Sequence, residues 1–163
     1  MLNAGNNTDI FSPAERSYVM SRIRGAGNKG TELRLIQIFR ANGIMGWRRG
    51  RALSLKGQGT RSKYQETKPG STGRVKPDFV FPKIKTAVFV DGCFWHGCPR
   101  HATWPRTRAA FWKAKIEGNR ARDRRVNSAL RKRGWIVLRI WEHELAKKNL
   151  PRLLKRLQRD LPA

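Results

Sequence analysis

The segment DGCFWHGCPRH, residues 91–101, most restricts the fold of this chain because it gathers the metal-binding side chains. It holds both cysteines and two of the three histidines, and the third histidine follows in IWEHEL. Structural zinc takes four tetrahedral sulfur and nitrogen ligands, with short spacing inside a local group. Five side chains compete for these places: Cys93, His96, Cys98, His101 and His143. We expect a structural zinc site that orders this segment, and spacing alone leaves open which histidine is left over.

The net charge of the chain indicates a polyanionic partner. Its 163 residues include 36 Lys and Arg against 11 Asp and Glu, which gives +25. A surplus this large repels itself in a compact fold, so nucleic acid is the expected partner. A membrane surface usually selects a single basic amphipathic helix, whereas Lys and Arg occur here in nearly every segment. The composition therefore favours a nucleic-acid-binding protein.

The cysteines are interpreted as metal ligands because we expect the chain in a reducing compartment. No N-terminal apolar segment resembles a signal peptide, and no apolar run approaches the length of a membrane span. These features predict a protein of the bacterial cytoplasm, associated with the nucleoid. The alternative is a pair of buried thiols with surface histidines.

Hydrophobic periodicity predicts a mixed α/β sheet with helices on its faces. The apolar runs PDFVF (77–81) and KTAVFVD (85–91) predict central strands that are buried on both faces and joined by a short turn. Further helices are predicted at 12–25, 31–42, 106–133 and 149–161, and further strands at 44–47 and 135–141. Residues 1–11 are expected to form a flexible tail, and 12–163 a single domain. A basic, glycine-rich loop is predicted at 50–74.

Two aspartates stand at the ends of the central strands. Asp78 begins the first strand and Asp91 ends the second. In antiparallel neighbours joined by a short turn, both can approach the same edge of the sheet. Carboxylate oxygens suit Mg²⁺, which binds few protein carboxylates and retains waters and phosphate oxygens. A strand-end aspartate that caps a turn is the alternative for each of them.

A third aspartate, Asp123, lies on the stripe of the long helix that should face the sheet, together with Asn119. An unpaired buried carboxylate costs several kcal/mol, so Asp123 requires a partner. Nearby arginines are one choice: Arg120, Arg122, Arg124 and Arg125. A histidine at the mouth of the sheet is the other, with Asp123 orienting a catalytic base. Helix geometry alone does not choose between them.

Taken together, these motifs resemble the very short patch repair (Vsr) endonucleases, which nick mismatched DNA and have a restriction-endonuclease-like α/β fold. The resemblance runs from about residue 12 to residue 145. The segments that carry it are RSYVMSRIRG, GTELRL, KPDFVF, VFVDGCFWHGCPRH, FWKAKIEGNRARDRR and GWIVLRIWEHEL. Their order and the DGCFWHGC block make the resemblance specific.

The resemblance implies catalytic roles by position. Asp78 and the backbone carbonyl of Val90 would bind catalytic Mg²⁺. His96 would help to activate the attacking water, with Asp123 as its carboxylate partner. Glu32 matches an acidic residue near the active site. The structural Zn²⁺ would then take the remaining four ligands: Cys93, Cys98, His101 and His143.

The resemblance also gives the aromatic side chains a role. Phe94, Trp95 and Trp112 would form a wedge in the base stack beside the mismatch, and Met20 would insert from the other groove. Apolar wedges unstack a base step at a cost of roughly a few kcal/mol, least where pairing is already weak. A core position on the inward face of its helix is the alternative for Trp112.

Two features depart from the family pattern. Asp91 stands where the best-known member has a histidine, so it could add to the Mg²⁺ site or bring in a second ion. The basic loop at 50–74 has no counterpart in a minimal family sequence and could extend the DNA footprint.

The expected activity is a Mg²⁺-dependent nick in one strand of duplex DNA, 5′ to the thymine of a G·T mismatch. We expect a monomer that acts on double-stranded DNA, with a functional link to a cytosine methyltransferase and to repair proteins. The alternatives are a nuclease of the same fold with another DNA substrate, in defence or a mobile element, and a zinc-stabilised DNA-binding module without catalysis.

Overall fold

The computed structural model describes Tyr18 and residues 30–55, 73–105 and 108–161. Several predicted features lie outside these ranges: the tail at 1–11, the helix at 12–25 apart from Tyr18, Met20, and residues 56–72 of the loop. Within the described ranges, no helix is long and apolar enough to cross a membrane.

The described ranges contain three α-helices, α1 (Glu32–Ala41), α2 (Ala109–Arg131) and α3 (Leu150–Asp160). They confirm the helices predicted at 31–42, 106–133 and 149–161. In each helix, apolar residues recur on one face, and that face packs inward. In α3 the inward face buries Leu153 and Leu157, and the outer face is strongly basic. Two short 3₁₀ turns join the last strand to α3: Glu142–Leu145 and Lys147–Asn149.

Four strands form the main sheet, in the spatial order β1-β4-β5-β6. They are β1 (Arg48–Arg49), β4 (Phe79–Phe81), β5 (Thr86–Asp91) and β6 (Ile136–Trp141). The pairs β1–β4 and β4–β5 are antiparallel, and β5–β6 is parallel. The sheet is therefore mixed, and the two predicted central strands are its central strands.

The prediction of a strand at 44–47 is wrong by a few residues, because the first strand of the sheet is Arg48–Arg49. Ile44 and Trp47 pack against the core, and the Trp47 indole donates to the Ile44 carbonyl at 3.1 Å. Ile44 and Trp47, whose apolar character predicted a strand, therefore lie in a local turn. The strand β1 begins directly after this turn.

The sheet has a hydrophobic core on each face. On one face, α1 and α3 pack on Phe79, Phe81 and Val88. On the other face, Leu130 of α2 packs on Val80 and Ala87. Alternate residues of β4 thus supply opposite cores, which explains its continuous apolar sequence.

A second, two-stranded sheet lies at the base of the basic loop. It pairs β2 (Leu53–Ser54) with β3 (Arg74–Val75) in antiparallel register. Leu53 and Val75 belong to the core on the α2 side, and Arg133 donates to the Ser54 carbonyl at 3.0 Å. The two ends of the predicted loop are therefore ordered against α2, which the sequence analysis did not predict.

Candidate active site and metal centre

Asp78 immediately precedes β4, and its carboxylate turns toward β5. Its Oδ2 accepts the backbone N–H of Val90 at 2.7 Å. Glu32 lies in the first turn of α1, is buried, and pairs with Arg49 of β1 at 2.6 Å. Glu32 and Asp91 are both close enough to Asp78 to raise its pKa. Two strands and one helix thus bring together three carboxylates that lie far apart in the sequence.

Asp78 carries a negative charge that the described residues offset only in part, through the Val90 N–H and the charge of Arg139. Burial, reinforced by the Glu32 and Asp91 carboxylates, raises the pKa of Asp78 to about 6. Among the described residues, no Lys or Arg forms a salt bridge with Asp78, whereas Glu32 pairs with Arg49. A half-buried carboxylate with this deficit of positive charge is suited to bind a divalent cation. This carboxylate is therefore a candidate ligand for a divalent cation, and its assignment to Mg²⁺ stays a prediction.

Asp78→Asn is expected to stabilise the Mg²⁺-free protein at pH 8, because it removes a half-buried carboxylate that has no directly paired cation within the described part of the chain. The pKa of about 6 lies above the ordinary 3.8, so the folded chain keeps a proton that the unfolded chain releases between these values. Stability is therefore lost as the pH rises through this range, and asparagine avoids a loss of about 1–3 kcal/mol. Urea unfolding with zinc retained, at pH 8 and at pH 4, measures the difference in the free energy of unfolding between Asp78→Asn and the wild-type chain. This difference should be smaller at pH 4.

Asp160→Asn is the matched control for this prediction. Asp160 pairs with the exposed Arg159 at 2.7 Å, and its substitution should change the unfolding midpoint little. A lower midpoint for Asp78→Asn than for the wild-type chain at pH 8 would contradict the electrostatic argument.

His96 and Asp123 form one of the short polar contacts of the site. The Nδ1 atom of His96 lies 2.6 Å from Oδ2 of Asp123, on the inward stripe of α2. Burial alone would raise the pKa of Asp123, but the hydrogen bond from His96 and the charge of Arg139 lower it below its usual value. Asp123 is therefore ionised at neutral pH and can only accept, so Nδ1 of His96 donates the hydrogen bond between them.

Asp123 has both kinds of partner that the sequence left open. Besides His96, Nη2 of Arg139 lies 3.1 Å from its Oδ1. This arginine comes from β6, whereas the candidates from the sequence were on the same helix. This partner was not predicted from the sequence, although an arginine inside the apolar run WIVLRIW is an unusual feature that could have indicated it.

Asp91 ends β5 and is buried with 4% of its surface exposed. Both of its oxygens accept from Arg139, which donates through Nε and Nη2 at 2.6 Å each. A guanidinium that engages both oxygens competes with a cation for this carboxylate. Asp91, His96 and Asp123 also offer ligand atoms that lie within 4.8 Å of one another, and a contribution of Asp91 to the Mg²⁺ site stays a prediction.

The segment that carries His96 packs directly on α2. Gly97 has a φ of +62°, and a Cβ atom there would lie 2.8 Å from Cγ2 of Ile116. Asn119 of α2 donates to the Trp95 carbonyl at 2.9 Å. Only glycine permits both this backbone conformation and this close approach. The contact fixes the backbone on both sides of His96.

Cys93, Cys98, His101 and His143 form a Cys/His cluster whose ligand atoms all lie within 4.8 Å of one another. Nδ1 of His143 lies 3.3 Å from Sγ of Cys93 and 3.6 Å from Sγ of Cys98. Nδ1 of His101 lies 3.8 Å from Sγ of Cys98. With ordinary zinc bond lengths, a tetrahedron puts sulfur and nitrogen about 3.6 Å apart. The four side chains therefore fit a structural zinc ion.

The electrostatics of the Cys/His cluster agree with this fit. Both cysteines are buried free thiols. Burial raises the pKa of the Cys93 thiol, so this sulfur needs a cation nearby to ionise. Burial and the adjacent His101 lower the pKa of His143, which keeps its ring neutral, as a metal ligand must be. His96 is bound to Asp123 and stands apart from the four.

Phe94, Trp95 and Trp112 form an aromatic cluster beside His96. Their ring centroids lie 5.2–5.9 Å apart in edge-to-face contacts. All three are only partly buried, and none belongs to either hydrophobic core. Phe111 continues the cluster and is 50% exposed. The core alternative for Trp112 is thus not supported, and the cluster offers an accessible apolar surface.

The sequence relationships of the chain agree with this site. A profile of the family described as DNA mismatch endonuclease Vsr matches residues 51–101. The type II nicking enzyme V.NmeDIP of Neisseria meningitidis serogroup C is 47% identical over 145 residues, which cover 85% of this chain and 81% of that protein. The chain belongs to the Vsr endonuclease family.

Two further members of the Vsr family match over shorter stretches. The type II nicking enzyme V.NaeI of Lentzea aerocolonigenes is 53% identical over 75 residues, 46% of this chain and 45% of that protein, so the match spans less than half of its length. The DNA mismatch endonuclease Vsr of Escherichia coli strain K12 is 41% identical over 93 residues, 54% of each chain. The chain is accordingly a DNA endonuclease with a Vsr-type mixed α/β fold.

Proposed function

We propose that this Vsr-family endonuclease nicks one strand of duplex DNA, 5′ to the thymine of a G·T mismatch, in a Mg²⁺-dependent reaction. The observation that carries the proposal is the 2.6 Å contact between His96 and Asp123, which lies in the same site as the incompletely neutralised carboxylate of Asp78. A DNA-binding module without catalysis would give none of these three side chains a task. The family membership also counts against such a module.

His96 is the proposed general base. Its Nδ1–H is held by Asp123, so Nε2 accepts the proton of the attacking water. The water oxygen forms a bond to phosphorus while one phosphodiester P–O bond breaks, and the leaving oxygen takes a proton from solvent to become the hydroxyl end of the nicked strand. Asp123 fixes the ring orientation and stabilises the charged ring that results. In other hydrolases a carboxylate does the same by accepting a hydrogen bond from the ring nitrogen that does not act as the base.

Asp78 and the Val90 carbonyl are the proposed Mg²⁺ ligands. When bound, Mg²⁺ supplies positive charge to the phosphodiester oxygens. Asp78 needs such a charge because its own surroundings raise its pKa to about 6. We leave Asp91 outside the ligand set, since both of its oxygens accept from Arg139. Glu32 helps to create the negative potential at Asp78 and is itself held by Arg49.

The Cys/His cluster is the proposed structural zinc site. It joins the segment after β5 to the turn after β6 through His143, and the backbone N–H of Cys93 also donates to Glu142 at 3.2 Å. This cross-link holds the loop that carries His96 and the aromatic cluster. Zinc therefore contributes to catalysis only through the position of this loop.

Phe94, Trp95 and Trp112 form the proposed wedge at the mismatch. They present partly exposed rings next to the catalytic histidine rather than within a core. A G·T pair deforms more easily than a matched pair, so insertion at a mismatch costs less and contributes to selectivity. Met20, the proposed insertion from the other groove, lies outside the described residues. A cytoplasmic location and a functional link to a methyltransferase stay predictions.

A second candidate function is nicking of duplex DNA that carries no mismatch. It is favoured by the relatives V.NmeDIP and V.NaeI, which are named type II nicking enzymes without reference to a mismatch. Both candidates use the same site and differ in substrate. The basic loop would then contribute to the difference.

A strand-resolved nicking assay on end-labelled duplexes separates the two functions. One set carries a single G·T pair in varied flanks, the other is fully paired, and each is incubated with Mg²⁺ or EDTA. A Mg²⁺-dependent nick confined to the strand with the mismatched thymine is the expected result. Nicking of both sets would support the second candidate, and binding without nicking in any flank would refute the catalytic proposal.

A further inference from the structure

Arg139 uses nearly all of its donors inside the site. Its Nε and Nη2 donate to the two oxygens of Asp91, each at 2.6 Å. Nη2 also lies 3.1 Å from Oδ1 of Asp123, and Nη1 donates to Oδ1 of Asn127 at 3.1 Å. The guanidinium stacks 5.0 Å from the ring centroid of Phe89. These contacts use the planar fork of the guanidinium, which a lysine ammonium cannot reproduce.

The parallel pairing of β5 and β6 brings Arg139 to this position. Phe89 and Arg139 are register partners, so the arginine side chain runs over the Phe89 ring toward the end of β5. Its own carbonyl accepts Nη2 of Arg156 from α3 at 2.9 Å. Both ends of the residue are therefore anchored, one by the sheet and α3 and the other by the carboxylates.

Two carboxylates compete for the ring of His96. Nδ1 lies 2.6 Å from Oδ2 of Asp123 and 3.7 Å from Oδ1 of Asp91. The distance to Asp91 is too long for a hydrogen bond, and Arg139 already engages both oxygens of Asp91, so Asp123 is the acceptor for Nδ1. Arg139 also holds the second oxygen of Asp123, which fixes the plane of the carboxylate that contacts His96.

We propose that Arg139 is a positioning residue of the endonuclease: it immobilises Asp91 and Asp123 together, so that Asp123 alone orients His96. Asp91 is then the ionic partner of Arg139 rather than a Mg²⁺ ligand. This inference rests on the proposed role of His96 as the base. It adds a residue pair, one from each of two parallel strands, that the catalytic histidine needs for its alignment.

Three variants test the inference: Arg139→Gln, Arg139→Lys and the double variant Asp91→Asn/Arg139→Gln. The single-turnover nicking rate at saturating enzyme, the Kd for the duplex without Mg²⁺ and the Tm are measured on the full chain. Arg139→Gln should lower the rate by about 100-fold, as expected for a small displacement of a catalytic group, with an unchanged Kd. Arg139→Lys should recover part of the rate, because one cation remains between the carboxylates.

The double variant provides the sharpest test. An amide pair can reproduce one of the two hydrogen bonds and leaves no unpaired buried carboxylate, so it should nick at least about tenfold faster than Arg139→Gln. It also guards against misfolding, since the single variant leaves the buried charge of Asp91 without its cationic partner and the double variant removes that charge. If Asp91 were a Mg²⁺ ligand, the double variant would instead be no better than the single one, which would overturn the inference.

Other outcomes would also overturn it. A lower Tm with an unchanged nicking rate would mean that Arg139 only supports the fold, and a weaker Kd with a smaller salt dependence would mean that it contacts DNA phosphate. His96→Ala, assayed in parallel, distinguishes a failure of the proposed function from a failure of the role proposed for Arg139. An inactive His96→Ala with a fully active Arg139→Gln refutes the role of Arg139 alone, whereas a fully active His96→Ala refutes the proposed function and this inference with it.

Discussion

Replacing His96 by alanine is expected to lower the nicking rate by roughly a hundredfold to ten-thousandfold, the contribution typical of a general base, while duplex binding is retained. The ring is held through Nδ1 by Asp123 inside the site, so its loss removes the proton acceptor and little else. Binding depends on a net charge of +25 that is distributed along the whole chain. Rate and affinity should therefore separate.

Asp123→Asn is the informative companion to this variant. An amide can still approach Nδ1 but can hold the wrong tautomer and cannot stabilise a charged ring, so a loss of rate of up to about ten-thousandfold is expected. Glu117→Gln is the matched control, because it replaces an exposed carboxylate on the same helix. Single-turnover assays with end-labelled duplex give the rate, and titration without Mg²⁺ gives the affinity. Equal losses of rate and affinity in His96→Ala would contradict the role assigned to this histidine.

The central strands and their aspartates could be predicted because the relevant information is local. PDFVF and KTAVFVD are short apolar runs on either side of a tight turn, and such runs pair antiparallel inside a sheet. The position of Asp78 beside β5 follows from this pairing alone, and its carboxylate indeed accepts the N–H of Val90. The inward position of Asp123 on α2 follows in the same way from helical periodicity.

The partner of Asp123 could not be predicted, because it depends on which strands become neighbours. A search along the helix finds only arginines within a turn or so of Asp123. Arg139 reaches Asp123 and Asp91 from β6, and it does so because β6 pairs in parallel with β5. The register of two strands separated by a long helix is a tertiary property that local patterns do not contain.

The small sheet at the base of the loop escaped prediction for a similar reason. Leu53–Ser54 and Arg74–Val75 are too short and too polar to be recognised as strands. Their pairing is stabilised by the packing of Leu53 and Val75 on the core beside Leu130. Only the folded α2 provides that surface. Without it, the segment has the residue pattern of a loop.

The choice among the histidines shows the same limit. Spacing identified Cys93, Cys98 and His101 as a local group but could not select the fourth ligand. In the structure, the turn after β6 brings Nδ1 of His143 within 3.3 Å of Sγ of Cys93. His96, from the middle of the same segment, turns the other way to Asp123. The fold thus separates one Cys/His-rich segment into the proposed zinc site and the proposed general base.

Loss of a Cys/His cluster ligand is expected to reduce the stability of the fold strongly. Cys98→Ser is expected to abolish stoichiometric zinc binding and to lower the free energy of unfolding by about 4 kcal/mol, the linkage energy of an ion present at a thousand times its Kd. For a chain of this size, that loss corresponds to a Tm about 8–16 °C lower. Cys98 is almost fully buried and contacts both His101 and His143, so serine cannot replace it as a soft ligand.

His96→Ala is the matched control here, since it removes a histidine from the same segment without touching the Cys/His cluster. It should retain one zinc per chain and a Tm near that of the wild-type protein, while Cys98→Ser loses both. Elemental analysis of the purified proteins and thermal unfolding with and without a chelator give the two readouts. If His96→Ala lost zinc, or if Cys98→Ser kept it, the division of this segment between structure and catalysis would be wrong. With the expected pattern, the inactive His96→Ala chain and the unstable Cys98→Ser chain would establish that two neighbouring side chains of one loop act through different physical mechanisms.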